Sequence, residues 1–177
     1  MDVEKDTAAP ECIQLKPIGF VSNQIQKPVH SKGMQTLSWQ ERVKKMREQK
    51  ETVSEIEVLP EYADMLSGTE EFSHLMILYW AHLIPQEEQM GTRVFPFGNQ
   101  EDFPEVGIFA THSPKRPNGI LVTPVRLLER NGNILKVTGL DAVNGSPVLD
   151  IKSFVPENSG DEIRTPEWHK KMKELIK

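Results

Sequence analysis

The sequence contains a single cysteine, Cys12, so the chain cannot form an internal disulfide. A protein without disulfides suits a reducing compartment, and we expect this one to be cytoplasmic. The most apolar run, 75–84, is shorter than the roughly 20 residues needed to span a bilayer. Residues 1–10 are polar and acidic and contain no apolar signal-peptide stretch. We therefore expect no membrane association.

The motifs of several common active sites are also missing. No Gly-x-Gly-x-x-Gly follows a strand and no Gly-Lys-Ser/Thr loop occurs, which argues against the usual nucleotide-binding folds. The absence of Cys-x-x-Cys and His-Glu-x-x-His gives no support to a metal site. A net charge of −5 excludes a broadly basic surface, so we expect no DNA partner, but it is compatible with a local basic patch.

What the sequence does contain is many short strand signals. The 177 residues fit one domain of ordinary size. Strands are predicted over 13–21, 55–59, 73–84, 106–110, 120–129, 133–140 and 148–155. Asn131-Gly132 is a favoured hairpin turn, and Pro124 predicts a sheet edge or a bulge because proline has no N–H to donate. This pattern predicts a mainly β fold, a small closed or partly closed β-barrel with short helices.

Two segments predict helices. Ser38 and Glu41 have capping-box spacing and predict a helix over 39–50, whose five basic residues form either a solvated face or a phosphate contact. Thr165 predicts the start of a terminal helix that packs on the barrel or on a second subunit. The expected organisation is a flexible tail over 1–11, a barrel domain over 12–160 and a C-terminal helix over 161–177.

Segment 111–119 is the strongest candidate for a binding loop. It lies between two predicted strands, and its two prolines restrict its conformations. A stiff polar loop at the end of barrel strands can hold ligand groups in fixed directions, although its composition also fits a long surface turn. Lys115, Arg116 and Asn118 are candidates to bind RNA phosphate or a substrate carboxylate.

Two pairs of polar residues are further candidates. Asp150 and Lys152 share a strand face, where they form either an exposed ion pair or part of a pocket wall. In a pocket, Asp150 is a candidate catalytic base and Lys152 a candidate substrate-binding residue. His74 and His82 lie eight residues apart, which predicts one strand face. Their spacing fits hydrogen-bonded structural histidines as well as residues of a site.

Three longer blocks carry a resemblance to a known family. Residues 68–74, Gly-Thr-Glu-Glu-Phe-Ser-His, resemble the family's Gly-Leu-Glu-Gly-Phe-Ser-His. Residues 107–118 resemble Gly-Val-Phe-Ala-Thr-Arg-Ser-Pro-x-Arg-Pro-Asn, and residues 141–152 resemble Asp-x-x-Asp-Gly-Thr-Pro-Val-Leu-Asp-Ile-Lys. Because three long motifs occur in the same order, the chain is identified as a member of the TsaA-like family.

The resemblance implies a compact β-barrel that binds S-adenosylmethionine and commonly dimerises. It implies a methyltransferase acting on tRNA, at the exocyclic nitrogen of N6-threonylcarbamoyladenosine just after the anticodon. The residues that it implies for cofactor binding are Gln35, His82, Leu83, His112, Val122, Asn144, Gly145, Ser146 and Pro147.

Two of these positions depart from the family pattern. His112 stands where members usually have arginine, and imidazole is a shorter and weaker partner for a carboxylate or ribose than a guanidinium. Asn144 replaces an aspartate. These departures leave two alternatives open: a methyltransferase of the same fold acting on another RNA or a small molecule, and an S-adenosylmethionine-binding module without catalysis.

Overall fold

The computed structural model describes residues 12–27, 38–85, 91–96 and 103–154. Its strands are β1 (Gly19–Ser22), β2 (Val53–Val58), β3 (His74–Trp80), β4 (Arg93–Val94), β5 (Val106–Gly107), β6 (Ile120–Asn131), β7 (Ile134–Thr138) and β8 (Pro147–Ser153). Six of them close into a barrel in the order β1-β2-β7-β6-β3-β8, and β4 pairs with β5. The barrel pairings are antiparallel. This confirms the prediction of a mainly β fold with a small closed barrel.

Aliphatic side chains at alternate strand positions fill the barrel interior. The fully enclosed ones include Ile56, Leu75, Ile77, Leu135, Val137 and Val148.

The prediction that 73–84 forms one buried strand is wrong in two respects. β3 buries only every second side chain, because its outer face is partly exposed, and it ends at Trp80. The chain then turns, since the Ile84 N–H donates to the carbonyl of Ala81 at 3.1 Å.

Other predicted strands are also longer than the observed ones, as the first strand and the strand over 106–110 show. β1 begins only at Gly19, and the preceding Ile13 and Leu15 are exposed without strand partners among the described residues. After β5, Ile108–Ala110 forms a short 3₁₀ turn instead of continuing the strand. In both places apolar residues alone do not make a strand, because a strand also requires a neighbour to pair with.

The prediction of a sheet edge at Pro124 is confirmed. Pro124 pairs with Met76 on β3, but the ladder between β6 and β7 stops at Arg126 and Thr138. Pro124 therefore lies where β6 has extended past β7, so its missing N–H interrupts no ladder. The predicted hairpin turn is also confirmed, with Gly132 at a φ of 61° between β6 and β7.

The predicted first helix is confirmed as α1 (Trp39–Glu51). Ser38 caps it, since its Oγ accepts from the Glu41 N–H at 3.3 Å and its own N–H donates to Glu41 Oε2 at 2.7 Å. Val43 is buried, and the last turn runs directly into β2. The predicted tail over 1–11 and terminal helix over 161–177 lie outside the described residues.

The alternating strand directions bring six segments together at one end of the barrel, which we call the cleft end. They are the ends of β1, β3 and β7 and the starts of β2, β6 and β8.

Among the described residues, no helix is long and apolar enough to cross a membrane. The same residues contain no group of three His, Cys, Asp or Glu side chains placed to hold a metal ion.

Candidate functional site

Two adjoining cavities open at the cleft end. The first, of about 200 Å³, lies between α1, the turn after β3 and segment 139–146. The second, of about 520 Å³, lies between loop 109–116 and the first half of β6. Their shared wall consists of Tyr79, His112, Leu121, Thr123 and Asp141. We call the two cavities together the cleft.

A hydrogen-bonded group of three side chains lies in the shared wall. Asp141 Oδ1 accepts from Tyr79 Oη at 2.7 Å and from Thr123 Oγ1 at 2.6 Å. Burial, together with the negative charge of Asp141, raises the pKa of Tyr79 well above its usual range. The phenol therefore stays protonated and donates, and both hydroxyls fix the orientation of the carboxylate. Asp141 itself is exposed to the cleft.

His82 meets the turn 144–147 at the rim of the first cavity. Its Nδ1 lies 3.4 Å from Ser146 Oγ, and its Nε2 lies 3.9 Å from the point where a Cβ on Gly145 would stand. Gly145 has a φ of 78°, a conformation that side-chain-bearing residues rarely adopt. The turn thus presents its backbone closely to the histidine.

Asn23, just after β1, connects this turn to the barrel. Its Nδ2 donates to Ser54 Oγ at 3.0 Å and to the carbonyl of Ala142 at 2.9 Å. Its Oδ1 accepts from the Ile25 N–H at 2.9 Å, and its own N–H donates to Asn144 Oδ1 at 3.0 Å. Because Asn144 uses its oxygen as an acceptor here, the amide fills a structural role that an aspartate oxygen would also fill.

Arg116 holds the loop that borders the second cavity. Its Nη1 donates to the carbonyls of Thr111 and Ser113 at 3.1 and 3.2 Å. Its guanidinium lies 5.9 Å from the ring centre of Phe109, which is 77% exposed. One nitrogen therefore stiffens the loop, and the rest of the planar cation borders the cavity beside an aromatic ring.

Several residues implied by the resemblance come together in the cleft. His82, Leu83 and Ser146 line the first cavity, Val122 lines the second, and His112 lines both. Asn144 and Gly145 belong to the turn that precedes Ser146, and Pro147 begins β8. None of these three residues lines a cavity. Gln35 lies outside the described residues. Of the candidate substrate contacts, Arg116 lines the second cavity, whereas Lys115 and Asn118 line neither.

Asp150 and Lys152 lie on the outer face of the barrel. Asp150 pairs with Leu78 and Lys152 with Met76, residues that alternate with the buried ones of β3. The two side chains form an exposed ion pair with each other, and neither lines the two cavities. A catalytic role for Asp150 stays a prediction that this geometry does not support.

His74 and His82 do not share a strand face. His74 begins β3, with its Nδ1 2.9 Å from Ser73 Oγ, while His82 follows the strand at the cleft end. The prediction was wrong because the strand ends two residues before His82. Only His82 belongs to the cleft.

Sequence reasoning missed two residues of the cleft, Tyr79 and Asp141, and one residue that supports its wall, Asn23. Tyr79 reads as one more core residue in an apolar run, and Asn23 has no motif around it. Asp141 lies inside a quoted motif and directly follows the predicted strand 133–140. That position, a carboxylate at a strand end beside a candidate loop, was the available signal for a site residue.

Comparison with known proteins identifies the family. Residues 39–159 match the family described as the tRNA-methyltransferase O N-terminal domain. The chain belongs to this family. The match covers more than half of the sequence and includes every strand of the barrel except β1.

Several relatives of this chain match it over only part of their own length. A probable S-adenosyl-L-methionine-binding protein of Pyrococcus abyssi is 43% identical over 58% of this chain and 52% of its own length. A protein of the same description from Methanothermobacter thermautotrophicus is 48% identical over 57% of this chain and 69% of its own length. The human tRNA (adenine(37)-N6)-methyltransferase is 34% identical over 55% of this chain and 21% of its own length. The chain thus spans about half of the first of these relatives and a fifth of the human enzyme.

Solved structures of the tRNA-methyltransferase O family have the same fold. The crystal structure of TrmO from Pseudomonas aeruginosa superposes with a TM-score of 0.60 at 24% identity. The superposition covers 87% of this chain and 61% of that one. At this identity, the likeness supports the barrel fold and no more.

Proposed function

We propose that this chain binds S-adenosylmethionine in the cleft and transfers its methyl group to the N6 nitrogen of an adenine in tRNA. The finer form of the proposal is methylation of threonylcarbamoyladenosine next to the anticodon. The observation that carries it is the convergence of His82, His112, Val122 and Ser146, distant in sequence, on one cleft of a family member.

The cleft fits the chemistry of this cofactor. The two cavities together fall in the range of about 300–1,000 Å³ that small-molecule sites occupy. Leu83, Leu121 and Ala142 offer apolar contact for an adenosine, while His82, Ser146 and His112 offer hydrogen-bonding groups for the ribose and the amino-acid end. When bound, S-adenosylmethionine supplies a methyl group already activated on a positively charged sulfur.

The part of the second cavity that is bordered by Phe109 and Arg116 is suited to the acceptor nucleobase. Exposed Phe109 offers a ring face, and Arg116 offers a planar cation against which a base can stack. The hydrogen bonds from Arg116 to its own loop hold this surface in place before any substrate arrives. Ordering the loop in advance lowers the entropic cost of positioning an acceptor nitrogen for attack.

The function is tested in two steps on the full chain. Calorimetric titration with S-adenosylmethionine measures cofactor binding, and tritiated-methyl transfer to total tRNA measures activity. Transfer to tRNA, followed by nucleoside mapping, supports the proposal and identifies the acceptor base. Absence of binding contradicts it entirely.

Binding without transfer to tRNA favours one of two other functions. The substitutions at His112 and Asn144 motivate a methyltransferase of the same fold that acts on another RNA or on a small molecule. A sensor or docking module that binds S-adenosylmethionine without catalysis is the second alternative. Turnover with small-molecule acceptors separates the two.

Replacing Arg116 with alanine is expected to weaken tRNA binding about 5-fold and to lower the salt slope of binding by about one. The reason is the loss of one cation and of the stacked surface on Phe109. The measurement is filter binding of total tRNA across a range of salt concentrations. The matched control is Arg126→Ala, which removes an exposed cation that lines neither cavity. Equal effects of the two changes would show that only net charge matters.

We also propose that the chain acts as a cytoplasmic homodimer, as is common in the family. Met65, Phe72 and Leu128 leave apolar surface exposed outside the cleft, which a second copy would cover. Light scattering coupled to size exclusion measures the assembly directly. A monomer at micromolar concentration would contradict this part of the proposal.

A further inference from the structure

Asp141 is a carboxylate without a cationic partner in the described part of the chain. Its Oδ1 accepts the two hydroxyl hydrogen bonds from Tyr79 and Thr123, and Asp141 takes part in none of the ion pairs observed between described residues. Hydrogen bonds from two neutral donors orient the carboxylate without cancelling its net charge, so it can attract a cationic group of a ligand.

Asp141 is placed to lie beside the middle of a methyl donor that occupies both cavities. Asp141 lies in the wall common to both cavities. A donor that contacts both His82 in the first cavity and Val122 in the second must pass this wall. The sulfur of S-adenosylmethionine lies in the middle of the molecule, between the adenosine and the amino-acid end.

We propose that Asp141 recognises the positive charge on the sulfur of the methyl donor and makes the cleft prefer S-adenosylmethionine over S-adenosylhomocysteine. This inference rests on the proposed binding of S-adenosylmethionine in the cleft. A sulfonium carries no N–H or O–H, so a protein distinguishes it from a neutral thioether chiefly by electrostatics. The preference favours release of the product, because transfer of the methyl group removes the charge.

The test is the ratio of two dissociation constants, measured by calorimetry with S-adenosylmethionine and with S-adenosylhomocysteine. Asp141→Asn keeps the shape and the Oδ1 acceptor but removes the charge. We expect it to weaken S-adenosylmethionine binding about 5-fold, which corresponds to about 1 kcal/mol, and to change S-adenosylhomocysteine binding less than about 2-fold. Asp141→Glu, which keeps the charge, is expected to retain the preference.

The matched control is Asp64→Asn, an exposed aspartate in the 3₁₀ segment Pro60–Leu66 that follows the far end of β2. It removes the same charge outside the cleft, and we expect an unchanged ratio. Thermal unfolding of each variant shows whether the fold persists. Equal weakening of both ligands by Asp141→Asn would overturn the inference, because the ammonium group common to both ligands, or the local structure, would then explain the effect.

The inference and the function that it rests on fail differently. If the unaltered protein binds both ligands and Asp141→Asn leaves their ratio unchanged, the inference is wrong and cofactor binding stands. If the unaltered protein binds neither ligand, the proposed function is wrong, and the inference is overturned with it.

Discussion

Replacing Gly145 with alanine is expected to weaken S-adenosylmethionine binding by about 5- to 30-fold. Gly145 has a φ of 78°, and a side chain in this left-handed region costs roughly 1–2 kcal/mol. The space itself is sufficient, because the added Cβ would lie 3.9 Å from His82 Nε2. The cost therefore arises in the backbone. If the turn relaxes away from His82, cofactor binding must restore it, and the same free energy appears in the dissociation constant.

Gly132→Ala is the matched control for this substitution. Gly132 has a φ of 61° in the β6–β7 hairpin, at the opposite end of the barrel, with no atom within 4 Å of an added Cβ. Gly132→Ala is expected to lower the free energy of unfolding in urea denaturation and to leave cofactor affinity unchanged. Gly145→Ala, whose turn relaxes before the cofactor binds, should lose less stability and instead lose cofactor affinity in calorimetry. Equal cofactor affinities in the two variants would show that the conformation of turn 144–147 does not matter for binding.

The barrel was predictable because its signals are local. Alternating apolar residues, the Asn131-Gly132 turn and the capping box at Ser38 each act within a few residues, and each was found where predicted. The ends of strands were predicted less well, as in β3, which stops at Trp80 although the apolar run continues. A strand ends where its neighbours end, and the neighbours of β3 are β6 and β8, far away in sequence.

The cleft was only partly predictable for the same reason. Motif blocks identified His82, His112 and Ser146, but composition alone gave no reason to bring these positions together. Tyr79 was hidden among apolar residues, since its hydroxyl acquires a role only when strand β3 brings it to Asp141, 62 positions further along the chain. A side chain whose partners are set by barrel closure leaves no periodic signal in its own segment.

Asn23→Ala is expected to lower the free energy of unfolding by about 2–3 kcal/mol, because it removes three side-chain hydrogen bonds at once. One partner, Ser54, is completely buried, so its hydroxyl would be left without the donor that it has now. Urea denaturation measures the loss. Asn133→Ala is the control, since Asn133 makes a single side-chain bond, to the carbonyl of Val58, and we expect a loss of about 1 kcal/mol.

A double-mutant cycle with Ser54→Ala tests whether the buried hydroxyl is the reason. In the Ser54→Ala background no polar group at position 54 remains unsatisfied, so Asn23→Ala should cost about 1 kcal/mol less than in the unaltered protein. Identical costs in both backgrounds would assign the effect to the bonds with Ala142 and Ile25 instead. Because those bonds hold segment 142–146 against the end of β1, cofactor affinity should fall in Asn23→Ala in either background, whereas Ser54→Ala alone should leave it nearly unchanged. Such a fall in affinity would show that Asn23 both stabilises this end of the barrel and shapes the wall of the first cavity.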